Sequence, residues 1–381
     1  MNYKDLFPIV EQYQTQMLAV LEQLVNHESP SNNKPALDSY AKKLSARFET
    51  LGAEITFITD PTSGDQLQVS FSVPEAKSER PGLLLCHYDT VWSLGTIEIQ
   101  PFRVAGDKAY GPGVYDMKAS HVMVEYALRG IADLGLRIPR PLTILFTSDE
   151  EIGSLASRSL IEDQAGQSEY VLVLEPPTVE GALKTARKGV GGFTLKIKGR
   201  AAHAGSQPEL GISAITELAH QILYVQGLAD IKKGTTVNVG VIEGGTRSNV
   251  IPAQATAHID LRAWTPQEAE RVEKAIREMK PILPGVGFEI SGGINRPPMV
   301  RSQEVVDLFH KAHQVGEKLG FDFQEGSTGG GSDGNFTAAL GVPTLDGLGA
   351  MGDGGHAVHE HILLSHLPER TSFLAALLVE L

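Results

Sequence analysis

Five short segments of this 381-residue chain place acidic or histidine side chains at the end of an apolar run or in a glycine-rich turn. The segments are 83–89, 111–116, 147–151, 171–175 and 355–360. Together they offer a carboxylate able to bridge two cations, two histidines, two further carboxylates and a spare glutamate. This inventory is typical of a hydrolase that uses two metal ions.

His87 and Asp89 lie two residues apart at the end of a predicted strand, so both side chains can point the same way. A neutral imidazole is a good zinc ligand, and a nearby carboxylate can fix its tautomer. We therefore interpret His87 as a ligand and Asp89 as the residue that orients it. Polar residues at an ordinary strand exit would show the same pattern.

The acidic residues allow both structural and functional interpretations. Asp116 precedes a predicted helix, where aspartate often caps the N-terminus, yet two carboxylate oxygens can also bridge metal ions about 3.5–4 Å apart. Adjacent Glu150 and Glu151 repel each other unless cations offset their charge. One could bind metal and the other act as a general base, or both could form a solvated turn. Glu175 closes an apolar run and needs a partner there.

His356, His359 and His361 lie close together near the C-terminus. One of them is a plausible metal ligand, but three cannot all bind a site that carboxylates already supply. The single cysteine, Cys86, is adjacent to His87, and we interpret it as a buried apolar residue rather than a ligand.

Strands and helices alternate before residue 188 and predict an α/β domain, with a mostly parallel sheet covered by helices. Sites in such sheets lie at the carboxyl ends of the strands. Residues 188–296 instead show a β-α-β-β-α-β order, the split βαβ or ferredoxin-like arrangement, and contain none of the candidate ligands. We predict a catalytic domain formed by residues 1–187 and 297–381, with 188–296 inserted. A single helix is predicted over 9–26.

Composition excludes several classes of partner. The formal net charge of −13 argues against binding to nucleic acid or an anionic membrane. One cysteine permits no intramolecular disulfide, which fits a reducing compartment. No segment has the length of an apolar membrane span, and the N-terminal residues do not form a signal peptide. We expect a cytoplasmic protein.

Three motifs resemble the signatures of the M20 family of zinc metallopeptidases: HYDTV at 87–91, GPGVYDMK at 111–118 and DEEIGS at 149–154. The resemblance extends over nearly the whole chain. Further segments are most similar to the folate-cleaving glutamate carboxypeptidases of that family, namely GRAAHAG at 199–205 and TGGGSD at 328–333. The family also includes acetylornithine deacetylase and succinyl-diaminopimelate desuccinylase.

The resemblance implies two zinc ions and five ligands, which are His87 and Glu175 on one ion, Glu151 and His356 on the other, and Asp116 between them. It makes Glu150 the general base and Asp89 the residue that orients His87. It also implies a cis peptide bond after Asp116. Cobalt or manganese could replace zinc at such mixed nitrogen and oxygen ligands.

For the inserted domain, the resemblance implies a lid that is often the interface of a homodimer. His203 would stabilise the oxyanion of the scissile carbonyl, often from the partner subunit. Asn249 and Gly330 would contact the substrate, and Arg296 would pair with a substrate carboxylate in the two-pronged way that guanidinium permits. Without the resemblance, a loop histidine and a surface ion pair would explain His203 and Arg296 equally well.

The expected reaction is hydrolysis of an amide bond that releases a C-terminal amino acid, glutamate by preference, from a peptide, a folate or an N-acyl amino acid. A deacylase of N-acyl amino acids, of the acetylornithine deacetylase or desuccinylase type, is the alternative, because one metal site serves both reactions. A non-catalytic binding protein on the same scaffold is a remote alternative. It predicts a missing base or ligand, whereas every expected position is filled.

Overall fold

A computed structural model describes residues 3–74, 76 and 78–381 of the chain. They form two compact units. The first contains the described residues up to 185 together with 301–328 and 332–381, and the second contains 186–300 and 329–331. The second unit thus begins at 186 rather than the expected 188 and extends to 300 rather than 296. Gly330 groups with the second unit instead of the segment 297–381.

The strands, in chain order, are β1 Glu54–Ile58, β2 Gln66–Phe71, β3 Gly82–His87, β4 Arg103–Ala105, β5 Lys108–Tyr110, β6 Leu142–Thr147, β7 Tyr170–Val173, β8 Leu183–Arg187, β9 Gly189–Lys198, β10 Thr236–Gly244, β11 Gln254–Ala263, β12 Gly287–Arg296, β13 Glu325–Thr328, β14 Thr344–Leu345, β15 Gly352–Asp353 and β16 His361–Leu363.

The helices are α1 Leu6–Gln12, α2 Gln14–Val25, α3 Lys34–Glu49, α4 Thr96–Ile99, α5 Ala119–Asp133, α6 Arg158–Gln167, α7 Ala214–Gln226, α8 Pro266–Arg277, α9 Gln303–Leu319, α10 Gly334–Ala339 and α11 Leu367–Glu380. The single helix predicted over 9–26 is wrong. Two helices, α1 and α2, meet at Tyr13. The Tyr13 amide donates a hydrogen bond to the Val10 carbonyl, three residues back, which tightens the turn between them.

The main sheet of the first unit has the strand order β1-β2-β6-β3-β7-β14. Its centre is parallel, since β3 pairs in parallel with both β6 and β7, and β14 extends the parallel part. The hairpin β1-β2 adds an antiparallel edge on β6. Every residue of β3 and β6 is buried.

Two apolar clusters explain why β3 is a continuous apolar run. Leu84 and Cys86 belong to the larger cluster, which includes residues of α1, α2, α3, α5 and α11. Leu83 and Leu85 belong to a second cluster with Ile161 of α6 and Phe336 of α10. Because alternate residues of a strand point to opposite faces, the sheet is covered on both sides, as the sequence predicts.

A small antiparallel sheet, β15-β16-β5-β4, brings the C-terminal part of the chain beside the first half of the unit. Within it His361 of β16 pairs with Tyr110 of β5. The chain leaves β5 directly into the turn that contains Asp116, and it enters β16 directly from the turn that contains His356. This pairing therefore places two of the predicted ligand turns side by side.

The second unit contains an antiparallel sheet with the order β10-β11-β9-β12 and the helices α7 and α8. Its elements follow the order β9-α7-β10-β11-α8-β12, so the predicted β-α-β-β-α-β arrangement is confirmed. Burial alternates along β9, as expected of a sheet with one covered face. The α/β fold class predicted from the sequence is therefore confirmed.

Cys86 is 3% exposed and free, which agrees with its interpretation as an apolar core residue. Burial raises the pKa of its thiol, so the group stays protonated. No helix in the described part of the chain has the length and apolar character needed to cross a bilayer. The cytoplasmic location stays a prediction.

Candidate active site

Three neighbouring strands of the main sheet deliver acidic and histidine side chains to one edge. His87 is the last residue of β3, Glu150 and Glu151 open the short turn after β6, and Glu175 follows β7 by two residues. Since β3 lies between β6 and β7 and is parallel to both, their carboxyl ends meet at the same edge.

Asp116 lies between two imidazoles. Its Oδ1 is 3.0 Å from His87 Nε2, and its Oδ2 is 3.4 Å from His356 Nε2. His356 adopts a φ of 64° in the turn between β15 and β16, a backbone conformation that L-residues other than glycine seldom adopt. The peptide bond from Asp116 to Met117 is cis, as the resemblance implies. One carboxylate thus faces a histidine on each side.

The other predicted ligands complete two groups around this carboxylate. Glu175 Oε1 is 3.4 Å from His87 Nε2, and Glu151 Oε2 is 3.1 Å from His356 Nε2. Donor atoms lie within 4.8 Å of one another in two sets that share His87, one with Glu150 and Glu175 and one with Asp116 and Glu151. The five predicted ligands and the predicted base therefore come together in the first unit.

The pKa values show how these charges interact. Burial opposes protonation of His87, yet hydrogen bonds to Asp116, Asp89 and Glu175 raise its pKa well above the ordinary value. Hydrogen bonds to Asp116 and Glu151 raise the pKa of His356 to about 11. Burial opposes ionisation of Asp116, but its two histidine partners hold its pKa well below the usual range. Protons on the two imidazoles thus offset negative charge that cations could offset instead.

Glu151 gives a test of whether this donor set fits metal ions. Its Oε1 is buried and has no hydrogen-bond partner among the described residues. A buried carboxylate oxygen without a partner is costly, and a cation removes that cost. Imidazole nitrogens and carboxylate oxygens are also the donors that zinc accepts in catalytic sites. The residues present therefore fit bound metal ions.

Asp89 contacts more than the sequence suggests. His87 Nδ1 lies 3.0 Å from the backbone oxygen of Asp89 and 3.5 Å from its Oδ1. The Asp89 carboxylate also accepts hydrogen bonds from the backbone amides of Glu150 at 3.1 Å and Glu151 at 3.2 Å. Ser31 Oγ donates to it as well, at 2.8 Å. Asp89 therefore holds the turn of the two glutamates in addition to contacting the imidazole.

Two buried residues near the cluster, His121 and Glu360, were given no role from the sequence. His121 Nε2 donates to the His87 carbonyl at 2.8 Å, and its Nδ1 lies 2.9 Å from the Tyr40 hydroxyl. Burial lowers the pKa of His121 to about 3, which keeps it neutral. The carboxylate of Glu360 accepts hydrogen bonds from the turn that carries Asp116. Only the spacing of Glu360 from His356 signals it in the sequence, and nothing there signals His121.

Residues 330–334 match the Gly-x-Ser-x-Gly pattern of many serine hydrolases. Ser332 is fully buried, its Oγ donates to Asp346 Oδ2 at 2.6 Å, and it accepts from the Gly334 amide at 3.1 Å. A hydroxyl held this way organises the start of α10 and is not presented to a substrate.

The predicted substrate residues belong to the second unit. His203 is exposed, and its Nδ1 accepts hydrogen bonds from the amides of Gly205 and Ser206, each at 3.1 Å. Asn249 is exposed, and its carbonyl accepts from the Ala204 amide at 3.0 Å. These two residues are thus neighbours on adjacent loops.

Arg296 and Gly330 lie elsewhere in the second unit. Arg296 ends β12, is 6% exposed, and donates from Nη1 to Asn295 Oδ1 at 3.1 Å. The Gly330 carbonyl accepts a hydrogen bond from Arg187 Nη1 at 3.3 Å. These contacts do not test whether Arg296 and Gly330 bind a substrate, so both roles stay predictions.

A mostly parallel sheet with clustered carboxylates and histidines at its carboxyl edge is the arrangement expected of a metal-dependent hydrolase. A model of peptidase family M20/M25/M40 matches residues 83–380. Carboxypeptidase G2 from Pseudomonas sp. (strain RS-16) is 32% identical over 387 aligned positions, covering 99% of this chain and 92% of that protein. The chain belongs to peptidase family M20/M25/M40, and it is a hydrolytic enzyme.

Solved structures support the fold. The M20 family metallo-carboxypeptidase Sso-CP2 from Sulfolobus solfataricus superimposes with a TM-score of 0.75 at 18% identity, covering 96% of this chain and 98% of its own. The aminopeptidase PepT from Bacillus cereus gives a TM-score of 0.76 at 22% identity, covering 96% and 98%. At these identities the likeness concerns the fold alone.

Proposed function

We propose that the protein is a two-zinc hydrolase that releases a C-terminal amino acid, glutamate by preference, by cleaving an amide bond in a peptide, a folate or an N-acyl amino acid. The position of Asp116, with one oxygen toward His87 and the other toward His356, carries this proposal. The similarity to carboxypeptidase G2 supports the carboxypeptidase reaction. Cobalt or manganese could occupy the same donors.

His87 and Glu175 would hold one ion, Glu151 and His356 would hold the other, and Asp116 would bind both, as the resemblance implies. Bound there, the ions would polarise the scissile carbonyl and lower the pKa of a water molecule. Glu150 takes a proton from the water that attacks the carbonyl carbon. It then delivers this proton to the amine nitrogen as the carbon–nitrogen bond breaks.

His203 is proposed to donate a hydrogen bond to the oxyanion that forms during the attack. Because its Nδ1 accepts from two backbone amides, the proton of a neutral imidazole sits on Nε2. Nε2 is then the donor, and the exposed position of the side chain leaves it available to a substrate. A donor aimed at developing negative charge stabilises the transition state more than the ground state.

Arg296, Asn249 and Gly330 are proposed to bind the substrate. The guanidinium of Arg296 would hold the C-terminal carboxylate in a bidentate ion pair, which suits a release of glutamate. Asn249 and Gly330 are both exposed, and each would contact the substrate through its polar groups.

We also propose a homodimer formed through the second unit. Its edge strand β10 exposes Val241 at 52% and Ile242 at 60%, and α7 exposes Leu223 at 73% and Tyr224 at 47%. Apolar side chains on an unpaired strand edge favour association with another chain. Sedimentation of wild type and of Ile242→Lys would test this, since a dimer that persists unchanged in the variant contradicts an interface along β10.

The deciding experiment is a substrate panel assayed with and without exhaustive chelation. We expect hydrolysis of folate and of C-terminal glutamyl peptides, loss of activity on chelation and recovery on addition of Zn²⁺. Hydrolysis of N-acetyl amino acids alone would replace the carboxypeptidase proposal with the deacylase alternative. Full activity after chelation would overturn the metal-dependent mechanism.

A further inference from the structure

Glu360 connects segments of the first unit that are distant in sequence. Its side chain is buried, and its two oxygens accept four hydrogen bonds. Oε1 accepts from the amides of Tyr115 at 2.9 Å and Asp116 at 3.1 Å. Oε2 accepts from the amide of Gly113 at 3.0 Å and from the indole of Trp92 at 2.7 Å.

Three of these donors belong to the turn that presents Asp116. Gly113 adopts a φ of 71° there, and a Cβ at this position would lie 2.6 Å from Thr90 Cγ2, so the turn is closely packed. Because one carboxylate satisfies the amides of three turn residues, it fixes the direction in which the chain enters Asp116. The fourth donor, Trp92, lies three residues beyond Asp89. Its hydrogen bond therefore connects Glu360 to the segment that follows β3.

Glu360 also belongs to the turn that presents His356. Its amide donates to the Ala357 carbonyl at 2.9 Å, and the Ala357 amide donates to Gly354 at 2.8 Å. These bonds close the turn in which His356 adopts its positive φ. The same residue therefore holds the turn of His356 through its backbone and the turn of Asp116 through its side chain.

We propose that Glu360 is a positioning residue that sets the separation of Asp116 from His356 and so prepares the metal site they would share. The inference rests on the proposed metal-dependent function. The 3.4 Å between His356 Nε2 and Asp116 Oδ2 is the distance that Glu360 controls. A metal ion between these atoms needs both at defined positions, and residues behind the ligands supply that order.

Glu360→Gln tests the proposal with little change of shape. A glutamine has one accepting oxygen and an NH₂ group, so donors that now meet one of the two oxygens would face another donor. We expect one of two Zn²⁺ ions to bind about 10- to 100-fold more weakly. The visible spectrum of the Co²⁺-loaded variant should change, and excess Zn²⁺ should restore part of kcat.

Glu217→Gln is the matched control. Glu217 is also fully buried, and it accepts from the amides of Ile282 and Leu283 and from Gln221 in the second unit. Its substitution removes the same kind of contact and should lower the melting temperature without changing Zn²⁺ affinity or the Co²⁺ spectrum. A merely structural role for Glu360 predicts that the two variants behave alike.

Glu151→Gln separates failure of this inference from failure of the proposed function. If Glu151→Gln loses Zn²⁺ while Glu360→Gln keeps wild-type affinity and spectrum, the positioning role is overturned and the metal site stands. If Glu151→Gln also keeps wild-type affinity, both are overturned. Should Glu360→Gln not fold, Trp92→Phe removes only one donor. A smaller loss of Zn²⁺ affinity would then support the proposal, and unchanged affinity would overturn it.

Discussion

One buried carboxylate of each unit, Glu268 in the second and Glu151 in the first, shows two opposite ways of satisfying a negative charge. In the second unit, Glu268 meets Arg271 at 2.8 Å and Lys233 at 2.7 Å, and Thr235 donates to it at 3.0 Å. In the first unit, Glu151 Oε2 meets only an imidazole at 3.1 Å, and its Oε1 has no hydrogen-bond partner within the described part of the chain. Protein groups thus satisfy the carboxylate of Glu268, whereas the carboxylate of Glu151 keeps an oxygen that a cation could bind.

The pKa values follow the same division. Hydrogen bonds from Arg271 and Lys233 lower the pKa of Glu268 to about 2. Burial raises the pKa of Glu151, and the hydrogen bond from His356 only partly opposes it. A carboxylate with complete protein partners stabilises a fold, whereas one buried beside other acids costs stability unless a cation arrives. The difference teaches where in this molecule to look for a bound ion.

The largest expected effect comes from Glu150→Gln, which removes the proposed base and none of the five ligands. We expect kcat to fall by about 10²- to 10⁴-fold, because the variant cannot accept a proton from water. Metal content measured on the same preparation should stay at the wild-type level. The exposed Glu22→Gln serves as the control. Near-wild-type turnover in Glu150→Gln would refute the assignment of the base.

The Zn²⁺ affinities of Glu151→Gln and Glu268→Gln test the contrast between the two carboxylates directly. The first should weaken binding of one Zn²⁺ by about 100-fold or more, because an anionic ligand is lost. The second should leave Zn²⁺ affinity unchanged, because its partners are all in the second unit. Competition with a chromophoric chelator measures both affinities. Equal Zn²⁺ affinities in the two variants would contradict the proposal that Glu151 binds metal and Glu268 only stabilises the fold.

Arg296→Lys should change substrate binding rather than chemistry. A lysine keeps the charge but not the two parallel donors, so KM for a glutamyl substrate should rise about 10-fold while kcat changes little. Arg277→Lys, whose partner is Glu273 on the same helix, is the control. An unchanged KM in Arg296→Lys would remove this residue from the substrate site.

The smallest effect is on stability. Glu268→Gln should lower the free energy of unfolding at pH 7 by about 1 kcal/mol, because its charged partners are partly exposed and screened. The pKa of Glu268 falls from 4.5 to about 2 on folding, so the contribution is present above pH 4.5 and is lost as pH falls toward 2. Urea midpoints at pH 7 and pH 3 check this, with the exposed Glu278→Gln as control. A difference that grows at low pH would contradict the assignment.

Long apolar runs and family motifs predicted much of this molecule. The run at 83–85 predicted a strand covered on both faces, and alternating burial along β9 agrees with the inserted domain. Three-residue strands such as β4 and β16 are too short to show a period, so the small sheet that joins the turns of Asp116 and His356 was not predicted. The contacts of Glu360 could not be predicted because its donors lie 244 to 268 residues away.

The order of the proposed ligands along the chain has a consequence for biosynthesis. His87, Asp116, Glu151 and Glu175 all precede residue 186, whereas His356 and Glu360 follow residue 300. A ribosome therefore completes the whole second unit before it adds His356, the last of the proposed ligands, and Glu360, which belongs to the same turn. Because domains generally fold as units during synthesis, the second unit can fold while the cluster is still incomplete. A nascent chain interrupted anywhere within residues 186–300 carries most of the acidic cluster but not its second imidazole.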